Sequence, residues 1–139
     1  MALDTPALLE RGYAVLRELR TELTLTEYAA LYSEAHKRDG FVLIGAFEDD
    51  ALVGVMGVRI LFDFAHGKHL YVDDLVVTEA KRGSGVGAAL LNKAEQIAKE
   101  KGCASLRLCT GIANDAAKKF YAREGWTLRS VAFKKRLGR

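Results

Sequence analysis

The sequence predicts a mixed β-sheet with helices on its faces, an α/β (α+β) three-layer domain, and three observations predict it. Apolar residues at helical spacing open the chain. Two apolar runs with strand signals follow near its middle, and from residue 69 strand and helix signals alternate to the end. The order is α-α-β-β-β-α-β-α-β over residues 1–139, read as a single domain.

The first helix starts at Thr5, which caps, and Pro6, whose missing N–H costs nothing there. Leu9, Tyr13, Leu16 and Leu19 mark its apolar stripe. A second helix opens on the capping box Thr24-Leu25-Thr26-Glu27, continues through Tyr28, Leu31 and Ala35, and ends at "RDG", residues 38–40. "FVLIGAF" (41–47) and "ALVGVMGVRILF" (51–62) flank a short acidic turn and predict an antiparallel hairpin. "HLYVDDLVV" (69–77) is the third strand. Val86, Leu90, Ala94 and Ile97 line the next helix, which closes at "KEKG". "ASLRLCT" (104–110) predicts a strand, Asn114 caps a short helix through Glu124, and "WTLRSVAFKKRL" predicts a last strand.

Half of the 139 residues are hydrophobic and 28% are charged, an ordinary globular balance. The longest apolar stretch falls far short of the ~20 residues a membrane span needs, and no leader pattern opens the chain, so a cytoplasmic protein without a membrane partner is expected. A net charge of +3 suits a small anionic ligand and falls short of a nucleic-acid signature. Cys103 and Cys109 form no disulfide or zinc pattern and read as small core residues. No His/Cys/Asp/Glu group has metal-ligand spacing, so no metal is expected. His66 and His69 read as solvent-facing loop residues.

"KRGSGVGAALL", residues 81–91, places glycines at 83, 85 and 87 where a helix begins. Glycine inside a helix is worse than alanine by roughly 1 kcal/mol, so three of them there need a reason. The first amides of a helix lack internal partners and carry the positive end of its dipole. Glycines let phosphate oxygens approach them, and Lys81 and Arg82 add charge beside them. The spacing does not fit GxxxxGK[ST]. It matches GxGxxG/A only formally, because five residues, Thr78 to Arg82, separate strand from glycines, and no acid closes the next strand.

With its preceding strand, the segment resembles the central motif of GNAT-type N-acetyltransferases, an apolar strand followed by [QR]xxGx[GA], met by Arg82-Gly83-Ser84-Gly85-Val86-Gly87. "NDAAKKFYAREGW" resembles the second motif of that family. A weaker likeness points to its branches acting on small amines, polyamines and aminoalkylphosphonates. The resemblance implies a largely antiparallel GNAT-like sheet with helices on both faces. Such domains usually open with a strand, for which "MALD" leaves almost no room; either the first edge strand is missing or another chain covers that edge.

The resemblance also implies acetyl transfer from acetyl-CoA, the cosubstrate, to a primary amine by direct attack in a ternary complex. The diphosphate of CoA would lie on the amides of Gly83, Ser84, Gly85, Val86, Gly87 and Ala88, with Arg82 adjacent. The pantetheine arm would pair with the main chain of Leu75, Val76 and Val77, and Asn114 is either a cofactor contact or a plain helix cap. An amine with pKa near ~10.4 is neutral in only about one molecule in a few thousand at pH 7, and a positioned base supplies roughly 10²–10⁴-fold. Asp73 is the first choice for base and Asp74 for amine recognition; the alternative is edge charges that prevent misassembly. Strand side chains alternate between faces, so only one of the pair reaches a given face unless the strand bulges. Tyr121 matches the tyrosine acid that protonates the departing thiolate, against an alternative as a packed helix tyrosine. The competing functional readings are a non-catalytic acyl-CoA sensor and a dinucleotide oxidoreductase. An uncovered sheet edge and a long last strand point to a homodimer.

Overall fold

The computed structural model describes residues 1–138. The chain forms two compact units, Met1–Leu108 and a second one beginning at Cys109. In the first, the elements are α1 (Pro6–Leu16), α2 (Leu25–Asp39), β1 (Val42–Glu48), β2 (Ala51–Asp63), β3 (Gly67–Val77), a 3₁₀ turn at Glu79–Lys81, α3 (Val86–Glu100) and β4 (Ser105–Leu108). The second holds α4 (Asp115–Arg123).

Both leading helices begin where their caps predict. Thr5 Oγ1 accepts the Leu8 amide at 3.2 Å. Thr24 and Glu27 complete both arms of the capping box, each at 3.1 Å, and Gly40 ends α2 in the left-handed region at φ 68°. Helix α1 stops at Leu16, three residues before the predicted Leu19, which is exposed.

The sheet order is β1-β2-β3-β4, with β1–β2 and β2–β3 antiparallel and β3–β4 parallel across α3. Its two faces bury separate cores. On one, Met56, Val58, Leu70 and Val72 meet Leu90, Ala94 and Ala98 of α3. On the other, Leu43, Val55 and Val76 meet Leu3, Val15, Leu16 and Tyr28. Tyr28 sits in this second core because its hydroxyl donates to the Leu9 carbonyl at 2.5 Å. Burial pushes its pKa up to about 12.

No regular strand precedes α1, as expected, yet the edge is not left bare. Ala2 bridges Ile44, Leu3 N–H donates to Leu43 O at 2.8 Å, and Gly45 N–H donates to Met1 O at 2.8 Å. Three residues of the same chain therefore cap the edge of β1.

Three expectations fail after β3. The strand predicted at 104–110 is confined to Ser105–Leu108. Cys109 consequently lies beyond the sheet and is exposed, while Cys103 packs against the α3 core as expected. The strand predicted from Trp126 does not form: no described residue after Leu108 lies in a strand, and Phe133 is 97% exposed. Alternation supplies an apolar face, but a strand exists only where a neighbouring edge takes up its amides and carbonyls. Among the described residues, no helix is long and apolar enough to cross a membrane.

Candidate active site

A single extra residue in β3 shapes the region around the acid pair. Gly57 of β2 pairs with Asp74, and its neighbour Val58 pairs with Val72, so Asp73 is the surplus residue of a β-bulge. A bulge resets the alternation of faces. Val72 before it and Leu75 after it both pack toward α3, so Asp73 and Asp74 both turn to the α1 side. One face thus receives both acids, by the exception the alternation rule allows.

Each carboxylate meets an arginine there. Arg59 donates to Asp73 through Nε at 2.9 Å and Nη2 at 3.1 Å, a two-pronged fork. Arg20 donates to Asp74 Oδ1 from Nε at 2.9 Å and also reaches the Asp73 carbonyl at 3.4 Å. Burial raises the Asp73 pKa, and the fork from Arg59 opposes that rise only in part. Asp73 therefore takes up a proton more readily than an ordinary aspartate.

Further along, β3 has an open edge. β4 pairs with His69 through Val72 and goes no further, while β2 follows β3 to Val77. Among the described residues, the edge of Asp73–Val77 that faces away from β2 pairs with no strand. At Leu75, Val76 and Val77, beyond the two acids, this stretch presents main-chain groups without competing side-chain polarity.

The chain then runs through the 3₁₀ turn to the start of α3. Gly83 and Gly85 have φ of 81° and 91°, a region other residues enter only with strain. Gly85 is the N-cap, and no side chain caps the helix. The first-turn amides of Val86, Gly87 and Ala88 thus lack the side-chain acceptor that Thr5 and Thr24 provide for α1 and α2. Space beside Gly83 and Gly85 is open, with nothing within 4 Å of where a Cβ would stand. Backbone conformation therefore gives these two glycines a first reason and open approach a second. The nearby cations have partners within the protein: Lys81 Nζ lies 2.5 Å from Glu48, and Arg82 bonds the Val77 carbonyl at 3.1 Å and Glu18 at 3.5 Å. Ser84 Oγ donates to the Lys81 carbonyl.

In the second unit, Asn114 Oδ1 accepts the Ala117 amide at 3.1 Å, so Asn114 does cap α4. Tyr121 packs its ring 5.2 Å from Phe120 and 6.0 Å from Trp126. Burial raises its pKa, which keeps the phenol protonated to higher pH than an exposed tyrosine.

Sequence reasoning missed the arginines that face the acids. Arg59 was the available signal: it is a lone cation inside the apolar run "VGVMGVRILF". His69 corrects the expectation of a solvent-facing residue, because it lies in β3 and is 0% exposed. Its Nδ1–H donates to the Gly67 carbonyl at 3.0 Å, which leaves Nε2 with the lone pair. The hairpin also gathers Asp63, His66 and His69, with one ligand atom of each within 4.8 Å of the others. Their spacing in sequence does not announce this, since the turn brings them together. The Nε2 atom that a metal would need on His69 accepts from Arg107 Nε at 3.4 Å.

The fold is one that solved N-acetyltransferases share. The aminoglycoside N-acetyltransferase AAC(6')-Iy, solved with the bisubstrate analogue CoA-S-monomethyl-acetylneamine, superposes with a TM-score of 0.81 at 20% identity, covering 95% of this chain and 94% of that one. Residues 9–126 match the acetyltransferase (GNAT) family, and the chain belongs to it as an acyltransferase. Two relatives agree along most of their length. The uncharacterised N-acetyltransferase YhdJ of Bacillus subtilis is 30% identical over 125 residues, 89% of this chain and 88% of its own. Thialysine N-epsilon-acetyltransferase of Bos taurus is 26% identical over 125 residues, 80% and 74% of the two chains.

Proposed function

We propose that this protein, as one domain over residues 1–139, transfers acetyl from acetyl-CoA to a primary amine of a small molecule by direct attack in a ternary complex. The observation that carries this reading is the continuity of an open edge at Asp73–Val77 with the uncapped start of α3. A strand-like polar arm ending in a diphosphate fits that sequence of features, and CoA has both parts. Leu75, Val76 and Val77 offer main-chain pairing to the arm. The amides from Gly83 to Ala88 offer donors and the positive helix end to the diphosphate, although that of Ser84 also reaches the Lys81 carbonyl at 3.3 Å. Arg82 adds charge there, and Asn114 adds a polar contact alongside its capping role. Acetyl-CoA supplies the activated acyl carbon.

The protein's own task is to hold the amine and move protons. Asp74 holds the incoming ammonium, and Asp73, with its raised pKa, takes the proton directly or through water. The freed lone pair then attacks the thioester carbonyl: a C–N bond forms and the C–S bond breaks. Tyr121 donates its phenolic proton to the departing sulfur, and the second proton, shed by the nitrogen as it becomes an amide, returns through water to the phenolate. The thialysine relative's name describes transfer to a side-chain amine, which agrees with an acceptor of this kind.

Thiol release from acetyl-CoA across an amine panel, with calorimetric titration of the cofactor, tests the reading. Tyr121→Phe is expected to bind acetyl-CoA as the parent does while kcat falls about 100-fold. Unaltered turnover in that variant removes Tyr121 from the reaction, and no heat on adding acetyl-CoA to the parent rejects the transferase reading.

A further inference from the structure

We propose that the amine acceptor also carries an anionic group, a carboxylate or phosphonate, and that Arg107 is the seat for it. The inference deepens the amine-acetylating reading and rests on it.

Tyr71 is flanked across the sheet by two arginines. Arg59 is its register partner on β2 and Arg107 its register partner on β4. Both guanidiniums lie over the Tyr71 ring, Arg59 at 5.5 Å and Arg107 at 5.0 Å from its centroid. All three residues alternate with side chains packed toward α3, so they occupy the same face as Asp73 and Asp74. The two cations differ in one respect. Arg59 is neutralised by its fork to Asp73, with Asp39 at 3.9 Å as well. Arg107, among the described residues, has no carboxylate within ion-pair distance, although it is half-buried.

What holds Arg107 is a neutral group. His69 presents an Nε2 lone pair because its Nδ1–H is committed to Gly67, and Arg107 uses only Nε to reach it. That contact orients the guanidinium without cancelling its charge. The terminal N–H groups remain, in the planar geometry that grips carboxylate or phosphonate oxygens in pairs. A partly desolvated guanidinium with no anion of its own calls for one from a ligand.

Spacing narrows the acceptor. Tyr71 and Asp73 are two residues apart, about 7 Å along a strand. The Arg107 and acid seats are thus on the order of 10 Å apart. Charge-assisted hydrogen bonds of ~2.8 Å at each end leave roughly 4–5 Å between amine nitrogen and anionic centre. A short amino acid or aminoalkylphosphonate spans that distance, and a long polyamine supplies no anion.

Matched acceptors test the proposal: propylamine, 3-aminopropanoate and 3-aminopropylphosphonate, each with acetyl-CoA, read as kcat/KM by thiol release. Both anionic amines are expected to exceed propylamine by about 10- to 100-fold. Arg107→Gln is expected to collapse that ratio, and Arg107→Lys, which keeps charge but loses the fork, to restore part of it. A parent enzyme that prefers propylamine, or a ratio that survives in Arg107→Gln, overturns the proposal. Calorimetric titration of 3-aminopropylphosphonate, with and without CoA, reads the same seat without turnover. Binding by the parent that is lost in Arg107→Gln supports it, and no binding by the parent refutes it. Acetyl-CoA heat separates the two readings: phosphonate binding without cofactor binding sinks the transfer reaction alone, and the reverse sinks the Arg107 seat alone.

Discussion

The face of the sheet that receives α3 and the face that receives α1 and α2 are built from alternate residues of the same strands, yet they end differently. Toward α3, Val58, Leu70 and Val72 are buried, and Ile60, Leu106 and Leu108 continue the apolar surface along β2 and β4. Toward α1 and α2, the apolar part stops at Leu43, Val55 and Val76, and beyond it stand Arg59, Asp73, Asp74, Arg107 and His69. One face serves stability over its length. The other splits its length between stability and chemistry, and the bulge at Asp73 marks the division. In strict alternation from Val72, without the bulge, Asp73 and Asp74 would point to opposite sides, and the charge of Asp74 would enter the α3 core.

Inserting one alanine between Asp74 and Leu75 is the strongest way to break this contrast. With the pairing up to Asp74 kept, the one-residue slip turns Leu75 and Val76 to the wrong faces, and each misplaced apolar side chain costs roughly 1.5–3 kcal/mol. Chemical denaturation is expected to show a loss of about 3–6 kcal/mol. Asp73→Ala keeps the residue count, and so the bulge, and is expected to lose only about 1–2 kcal/mol through Arg59. Equal losses in the two variants would mean that the carboxylate, not the register, matters.

Leu70→Ala tests the apolar face with the next largest effect. Leu70 is 0% exposed, and removing its side chain is expected to cost about 2–5 kcal/mol. The relative kcat/KM values across the amine panel should stay as in the parent, because Leu70 points away from the polar face. A changed acceptor preference would show that the two faces are coupled.

The smallest effect is in pH dependence. Burial raises the Asp73 pKa in the folded chain, so lowering the pH protonates it earlier than an ordinary aspartate. The acid limb of kcat/KM is expected at a higher pH than an ordinary aspartate would give and to vanish in Asp73→Asn. The stability sign is opposite to that of a salt-bridged acid with a lowered pKa. A raised folded-state pKa makes the Asp73 contribution fullest at acid pH and lost as pH rises through that pKa. A pH titration of unfolding in the parent and in Asp73→Asn measures the difference.

Much of the fold is legible in the sequence because it rests on local chemistry. Caps at Thr5, Thr24 and Asn114 form hydrogen bonds with amides three residues ahead, and such short-range partners are written in the sequence itself. The same holds for the stripe Val86, Leu90, Ala94 and Ile97, which all join the α3 core. The last strand was misread for the converse reason: alternation is local, but pairing is not.

The site divides the same way. Glycines at 83 and 85 and the acids at 73 and 74 stand out by composition and spacing, and the tyrosine at 121 through the resemblance of its segment to the family's second motif. Nothing local shows that Asp73 and Asp74 share a face, or that Arg59 takes one acid and Arg20 the other. The burial of His69 is equally silent in the sequence.

By itself, then, the sequence determined where helices start, which residues alternate and which segments carry unusual glycines and charges. Tertiary structure alone decided the partners: a bulge that sums two acids onto one face, and three strands in register that place Arg59, Tyr71 and Arg107 in a row. The physical reason is range. Propensity and capping act over a few residues, whereas charge pairing and strand register join residues tens of positions apart, and only the folded chain brings these within reach.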